Sequence, residues 1–322
     1  MKPILFLFGL IFTLAMEGQT LRLTQSVAVP DVNGRIDHLS VDAPGQRLFV
    51  AALGNNTVEV VDLNAGKVVR SLRGFSEPQG LLFLPEFNRL YVANGGDGTV
   101  RVFDGTTFAS IATLKFEDDA DNLRYDATAK QVYVGYGSGA LGIIDATKDT
   151  VVGSIPLTAH PESFQIEANG PRIFVNLPGS HTVAVIDRRH RQVIGHWPLG
   201  LVAANFPMAL DEAGHRAFIA CRTPARLLVF DTETGKELQK LELHGDCDDV
   251  FFDAKHHRVY ASCGEGFLDV FARVGTGEYT PQTRVKTEPR GRTSFFDGTR
   301  IFVAVPRSGT TDAKLLGFEI MR

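Results

Sequence analysis

The chain is 322 residues long, 44% hydrophobic, with 33 Lys and Arg against 37 Asp and Glu and a net charge of -4. That length carries one large domain with an ordinary core, and the slight acidity argues against a general nucleic-acid surface or an anionic-membrane patch. The three cysteines, Cys221, Cys247 and Cys263, are too few and too unevenly spaced for a disulfide framework or a zinc ribbon.

Lys2 followed by the apolar run Ile4–Ala15 has the length of a signal-peptide core and is too short to cross a bilayer. Residues 1–18 are therefore expected to be a signal peptide, cleaved after Ala15 or Gly18. The mature chain, 19–322, is expected to be periplasmic or secreted and monomeric, without a membrane span.

One pattern then governs the rest. It reads RLFVAAL from Arg47, RLYVANG from Arg89, QVYVGYG from Gln131, RIFVNLP from Arg172, RAFIACR from Arg216, RVYASCG from Arg258 and RIFVAVP from Arg300. The spacing is about 42 residues, which with short strands and turn residues marks a β-propeller. Seven copies predict seven blades. Within each repeat, alternating apolar residues and Gly, Asn or Asp turns predict four antiparallel strands; in the first these are Asp37–Val41, Arg47–Leu53, Thr57–Leu63 and Lys67–Leu72. The third strands end in Asp62, Asp104, Asp145, Asp187 and Asp231 in five repeats, where an Asp side chain bonds its own turn amides. The aromatic of each second strand (Phe49, Tyr91, Tyr133, Phe174, Phe218, Tyr260, Phe302) is expected to pack between blades. The seventh repeat lacks an outer strand, and Leu21–Val29 is expected to supply it and latch the ring.

The strands RLYVANG and RIFVNLP, with GNNTVEVVDLNAGKVV and GDGTVRVFD between them, resemble the YVTN-type repeats of bacterial seven-bladed propellers, within the WD40-like superfamily. The resemblance spans nearly the whole mature chain and implies the fold. It implies no particular activity, because propellers host lyases, lactonases, electron-transfer enzymes and binding modules.

Aligning the repeats superposes the starts of the inner strands at one mouth of the central channel. The strands repeat, but these positions do not: Asp37-His38, Gln79-Gly80, Asp121-Asn122, Glu162-Ser163, Phe206-Pro207, Asp248-Asp249 and Arg292-Thr293, flanked by His160 and Asn205. Acids converging in a funnel repel one another unless a cation or protonation relieves them. The expected site is therefore one for a small polar ligand or a cation, against the alternative of a solvated mouth. A divalent metal is one expected occupant, with donors from Asp37, His38, Asp121, Glu162, Asp248 and Asp249: oxygens suit Ca²⁺ or Mg²⁺, and His38 would admit a transition metal. Arg124, within the third inner strand, is expected to pair with Asp121 or Asp37. Arg222 and Arg292 are expected to offer an anion subsite opposite the acids, while Arg226 and Arg307 read as solvated. His215, His256 and His257 read as turn residues at the other face.

Two further functions remain open. One is a divalent-metal-assisted lyase or lactonase-type enzyme, with His38 or Glu162 as base and Asp121, Asn122, Asn205, Asp248 or Asp249 as ligands. The other is a scaffold docking a protein partner on its outer rim. No G-x-S-x-G, C-x-x-C-H or H-E-x-x-H motif occurs. In the sixth repeat, pairing Phe252 with Arg258 and stepping outward brings Cys247 opposite Cys263, a separation that would permit a disulfide in an oxidising compartment or leave two buried thiols.

Overall fold

A computed structural model describes residues 20–275 and 277–321; the expected signal peptide, 1–18, lies outside the described residues. The chain folds into seven four-stranded antiparallel sheets. The innermost strands touch in succession around a ring that closes from the seventh blade back to the first. No α-helix occurs among the described residues.

Each second strand is a short, almost wholly buried run, as in Arg89–Asn94 and Arg258–Cys263, because it lies second from the channel with a neighbouring blade against each face. The outer strands are largely exposed, with clean alternation in Glu237–Glu242, since one face meets solvent. The core is divided accordingly. Seven apolar clusters fill the seven wedges between adjacent blades. The repeating aromatic contributes one ring to each wedge: Phe49 between blades one and two, Tyr91 between two and three, and so on to Phe302 between seven and one. All seven rings are at most 1% exposed.

The third-strand aspartates accept from their own turns. Asp62 takes the amides of Asn64 and Ala65, and Asp231 those of Glu233 and Thr234. At the inner turns Asp253 takes the amides of Lys255 and His256 and the His256 ring.

The two ends of the chain share the seventh blade. Leu21–Val29 pairs antiparallel with Ala313–Ile320, from Leu21 opposite Ile320 to Val29 opposite Ala313. Leu21, Val27 and Val29 are buried, and Arg22 meets Glu319 at 2.7 Å. The latch thus supplies both a ladder and core surface.

Two strand readings shift. The first inner strand is Leu39–Asp42, so Asp37 stands ahead of it, its amide bonded to Ala51 O at 2.8 Å. In the sixth blade Arg258 faces Asp253, one place from the expected register, and an irregularity between Cys247 and Asp249 restores Cys247 opposite Cys263. Both thiols are buried and unbridged, as is Cys221.

Candidate functional site at the channel mouth

The inner strands carry the site because their first residues face the channel where the sheets converge. Three of them are irregular at that point: the ladder shifts between Pro78 and Leu81, between Asn205 and Met208, and between Cys247 and Asp249. A bulge re-aims the side chains it carries, so these blades present groups that a regular ladder would direct elsewhere. Gly80 is required here by space, since a Cβ at that position would lie 2.1 Å from Asp121 O. The loops leading into the inner strands turn through left-handed residues, among them Glu77 (φ 49°), Asp119 (φ 39°) and Asp246 (φ 58°).

Ten of the thirteen expected residues line one cavity of about 590 Å³: Asp37, His38, Gln79, Asp121, Asn122, His160, Glu162, Arg222, Asp248 and Arg292. Arg35, Glu77 and Asp119 line it too, and Asp246 stands at its rim through ion pairs to Arg222 and Arg292. Sequence reasoning missed these four. They sit in the loops before the inner strands, where spacing carries no repeat; a carboxylate at a left-handed loop position is the signal that could have marked Glu77, Asp119 and Asp246.

On the side formed by blades five to seven and the loop leading into blade one, charge is matched. Arg222 donates through Nη2 to Asp248 Oδ1 and through Nε to Cys247 O, with its Nε 3.5 Å from Asp246. Its guanidinium lies 4.2 Å from the Phe206 ring centre. Arg292 Nη1 donates to Asp246 Oδ1 at 2.7 Å. Arg292 Nε is 3.0 Å from Asp248 Oδ2, within ion-pair reach but not aligned as a hydrogen bond. Arg35 holds Asp37 at 3.0 and 3.1 Å. This corrects the expected anion subsite: Arg222 and Arg292 are already taken by Asp246 and Asp248.

On the side formed by blades three and four, charge is not matched. Asp121 is 5% exposed, and its Oδ1 has no hydrogen-bond partner. His38 Nε2 stands 3.7 Å away, and Asn122 donates to Oδ2 at 3.3 Å. No described residue forms an ion pair or side-chain hydrogen bond with half-buried Glu162. Burial pushes both Asp121 and Glu162 up to about 7; at Asp121 His38 opposes the rise while Glu162 and Asp37 add to it, and at Glu162 Asp248 and Asp37 add to it while Arg222 and Arg35 oppose it. Nearby, His160 Nδ1 lies 2.6 Å from Gly137 O, and Gln79 donates to Asp119 at 2.7 Å.

The remaining three expected residues lie elsewhere. Arg124 and Asp249 line a second, inner cavity of about 340 Å³. Arg124 is not ion-paired as expected: it donates to Leu123 O at 2.8 Å and to Ser163 Oγ at 3.4 Å. Asp249 accepts the Ser294 amide at 2.6 Å and is 4.0 Å from His38 Nδ1; burial raises its pKa well above the usual range. Asn205 is fully buried and lines neither cavity; its Nδ2 donates to Asn176 Oδ1 and Thr182 O of the neighbouring blade, and its Oδ1 has no partner.

Among the described residues no three His, Cys, Asp or Glu side chains are gathered closely enough to hold a metal ion. Asp37 and Asp248 are engaged by arginines and Asp249 by a backbone amide, so the expected donor set does not fit a metal as it stands.

No family model and no curated relative matches this sequence. Solved structures do. The chain is similar to one from Kuenenia stuttgartiensis hydrazine synthase, at 18% identity and a TM-score of 0.72, covering 85% of this chain and 94% of that one. It is also similar to a chain of a mitotic checkpoint complex, at 14% identity and a TM-score of 0.79, covering 100% and 98%. At these identities the likeness is one of fold, the β-propeller. Among the described residues no helix is long and apolar enough to cross a membrane.

Proposed function

We propose that this protein is an exported propeller of the YVTN-repeat type whose channel mouth binds a small polar ligand, presenting a cationic or hydrogen-bond-donating group to Asp121 and Glu162. The observation that carries the reading is the unmatched half of the mouth. Asp121 Oδ1 is buried without a donor, and Glu162 has no partner among the described residues, while the neighbouring Asp37, Asp246 and Asp248 are held by arginines. A withdrawn carboxylate costs several kcal/mol unless it is paired or protonated. A cationic ligand would remove that cost on binding, and the open cavity of about 590 Å³ has room for one.

Calorimetric titration with n-butylamine tests this directly. Wild-type protein should bind it at pH 8, where both carboxyls are ionised, and the Asp121→Asn, Glu162→Gln double variant should bind at least about tenfold more weakly. No binding to wild type at about 10 mM, or equal binding to the variant, would overturn the reading.

Two carboxyls that titrate near neutrality in one cavity with His38 and His160 also favour a second reading, acid–base chemistry on the bound molecule. That chemistry would run through these side chains, since the donors do not converge on a metal position.

A further inference from the structure

A second, inner cavity, lined along the inner strands, shares His38, Asn122 and Ser163 with the one at the mouth. The two differ in which charges are unpaired. At the mouth Arg35, Arg222 and Arg292 are taken by Asp37, Asp246 and Asp248, leaving Asp121 and Glu162 without an arginine; the inner cavity holds one cation, Arg124, and one acid, Asp249, that are not ion-paired to each other. Arg124 is the only Arg or Lys lining it, among apolar groups such as Leu81, Phe83 and Met208. No carboxylate oxygen of the described residues lies within 4.0 Å of its guanidinium. Of its five N–H donors, two are used, one of them on Ser163 Oγ at 3.4 Å, and its guanidinium carbon stands 5.7 Å from the Phe164 ring centre. The acid facing the same cavity is Asp249, which is committed to the Ser294 amide and held toward its neutral form by burial. Asn122 lines both cavities, and its Oδ1 is buried and unpartnered.

We propose that the channel takes a zwitterion of the amino-acid type, its carboxylate on Arg124 and Ser163 in the inner cavity and its ammonium on Asp121 and Glu162 at the mouth. The inference rests on the mouth being the ligand site and adds the second charge. Each end of such a molecule meets an opposite charge already withdrawn from water, and Asn122 offers its Oδ1 to a donor on the ligand. Asp121 lines the mouth cavity and Arg124 the inner one, so the two charges they would hold are kept apart. That separation suits a short ω-amino acid better than an α-amino acid, whose two charges lie closer together. An amine without a carboxylate would leave Arg124 desolvated and unpaired; a carboxylate without an amine would leave Asp121 and Glu162 so.

The test is calorimetry at pH 8 with four probes: 4-aminobutyrate, 6-aminohexanoate, n-butylamine and butyrate. In wild-type protein at least one amino acid should bind about tenfold or more tightly than either n-butylamine or butyrate, the difference expected of one charge-assisted pair. Arg124→Gln should erase that advantage and leave n-butylamine binding as it was. The wild-type ranking needs no variant, so it stands even if Arg124→Gln folds poorly. Equal affinity for n-butylamine and the amino acids would overturn the zwitterion and leave the mouth reading intact. Tightest binding of butyrate would overturn it as well. No binding of any probe to wild type at about 10 mM would overturn both.

Discussion

Asp121 and Asp248 stand at equivalent places in blades three and six, each at the start of an inner strand and each largely withdrawn from solvent. Asp248 is clamped by Arg222 and Arg292, with Asp246 completing the network. Asp121 has a histidine at 3.7 Å and an amide, and one oxygen without a donor. Position in the repeat is the same; what differs is whether a neighbouring blade supplies a guanidinium. Acids that look alike in the alignment are therefore of two kinds, one serving the ring's own cohesion and the other left available for something outside the protein.

That contrast can be broken from three directions. The largest effect lies in the framework that holds both acids in place. Deleting Leu21–Val29 removes a full ladder and the buried Leu21, Val27 and Val29. At about 1.5–3 kcal/mol for each such side chain, stability should fall by about 5 kcal/mol or more. Denaturant unfolding of the truncated protein checks this, and an unchanged midpoint would mean that the ring closes without the latch.

The next effect separates the two acids themselves. Asp248→Ala leaves Arg222 and Arg292 sharing Asp246, which is more exposed, and should cost about 2 kcal/mol. Glu162→Gln removes a half-buried charge that has no direct ion pair or side-chain hydrogen bond and is offset only at a distance by Arg222 and Arg35, so at pH 8 it should be neutral or stabilising by about 1 kcal/mol. Thermal melts of the two variants side by side decide the matter; similar losses in both would place Glu162 in a structural network and dissolve the distinction.

The pH profile tests the same two carboxyls without changing the Asp248 network. Asp121 and Glu162 titrate at about 7 in the folded protein, against about 4 when unfolded. Between those values the native state holds protons that the unfolded chain has released, so this contribution to stability is full below about pH 4 and is lost as pH rises to about 7. Wild type should therefore lose stability from pH 5 to pH 8 relative to the Asp121→Asn, Glu162→Gln variant. Parallel profiles would show that the two carboxyls are not raised.

Most of the ring was legible because its residues repeat. The RLYVANG-like strands, their aromatics and the missing seventh outer strand all lie where a period of about 42 residues puts them. Less of the mouth was. Alignment found the acids and the two arginines that clamp Asp248, yet paired neither with its partner, and it missed Arg35 and Asp246, which complete the ion pairs. Asn205 was read as a ligand because it flanks an aligned position; the shifted ladder of its strand turns it into the packing against Asn176 instead. Cys247 and Cys263 do face each other, but through an irregular ladder rather than the regular register counted out from the turn.

The sequence by itself determined the blade number, the strand order within each blade, the wedge aromatics and the closure of the ring, since each follows from hydrophobic periodicity and turn chemistry along one stretch of chain. Only the tertiary structure decided which carboxylates meet an arginine, which are left open, and that Arg124 lines a separate inner cavity. Those outcomes depend on where neighbouring blades place loops and bulges far apart in sequence, and a shift of one residue there sends a side chain to the other face of its strand.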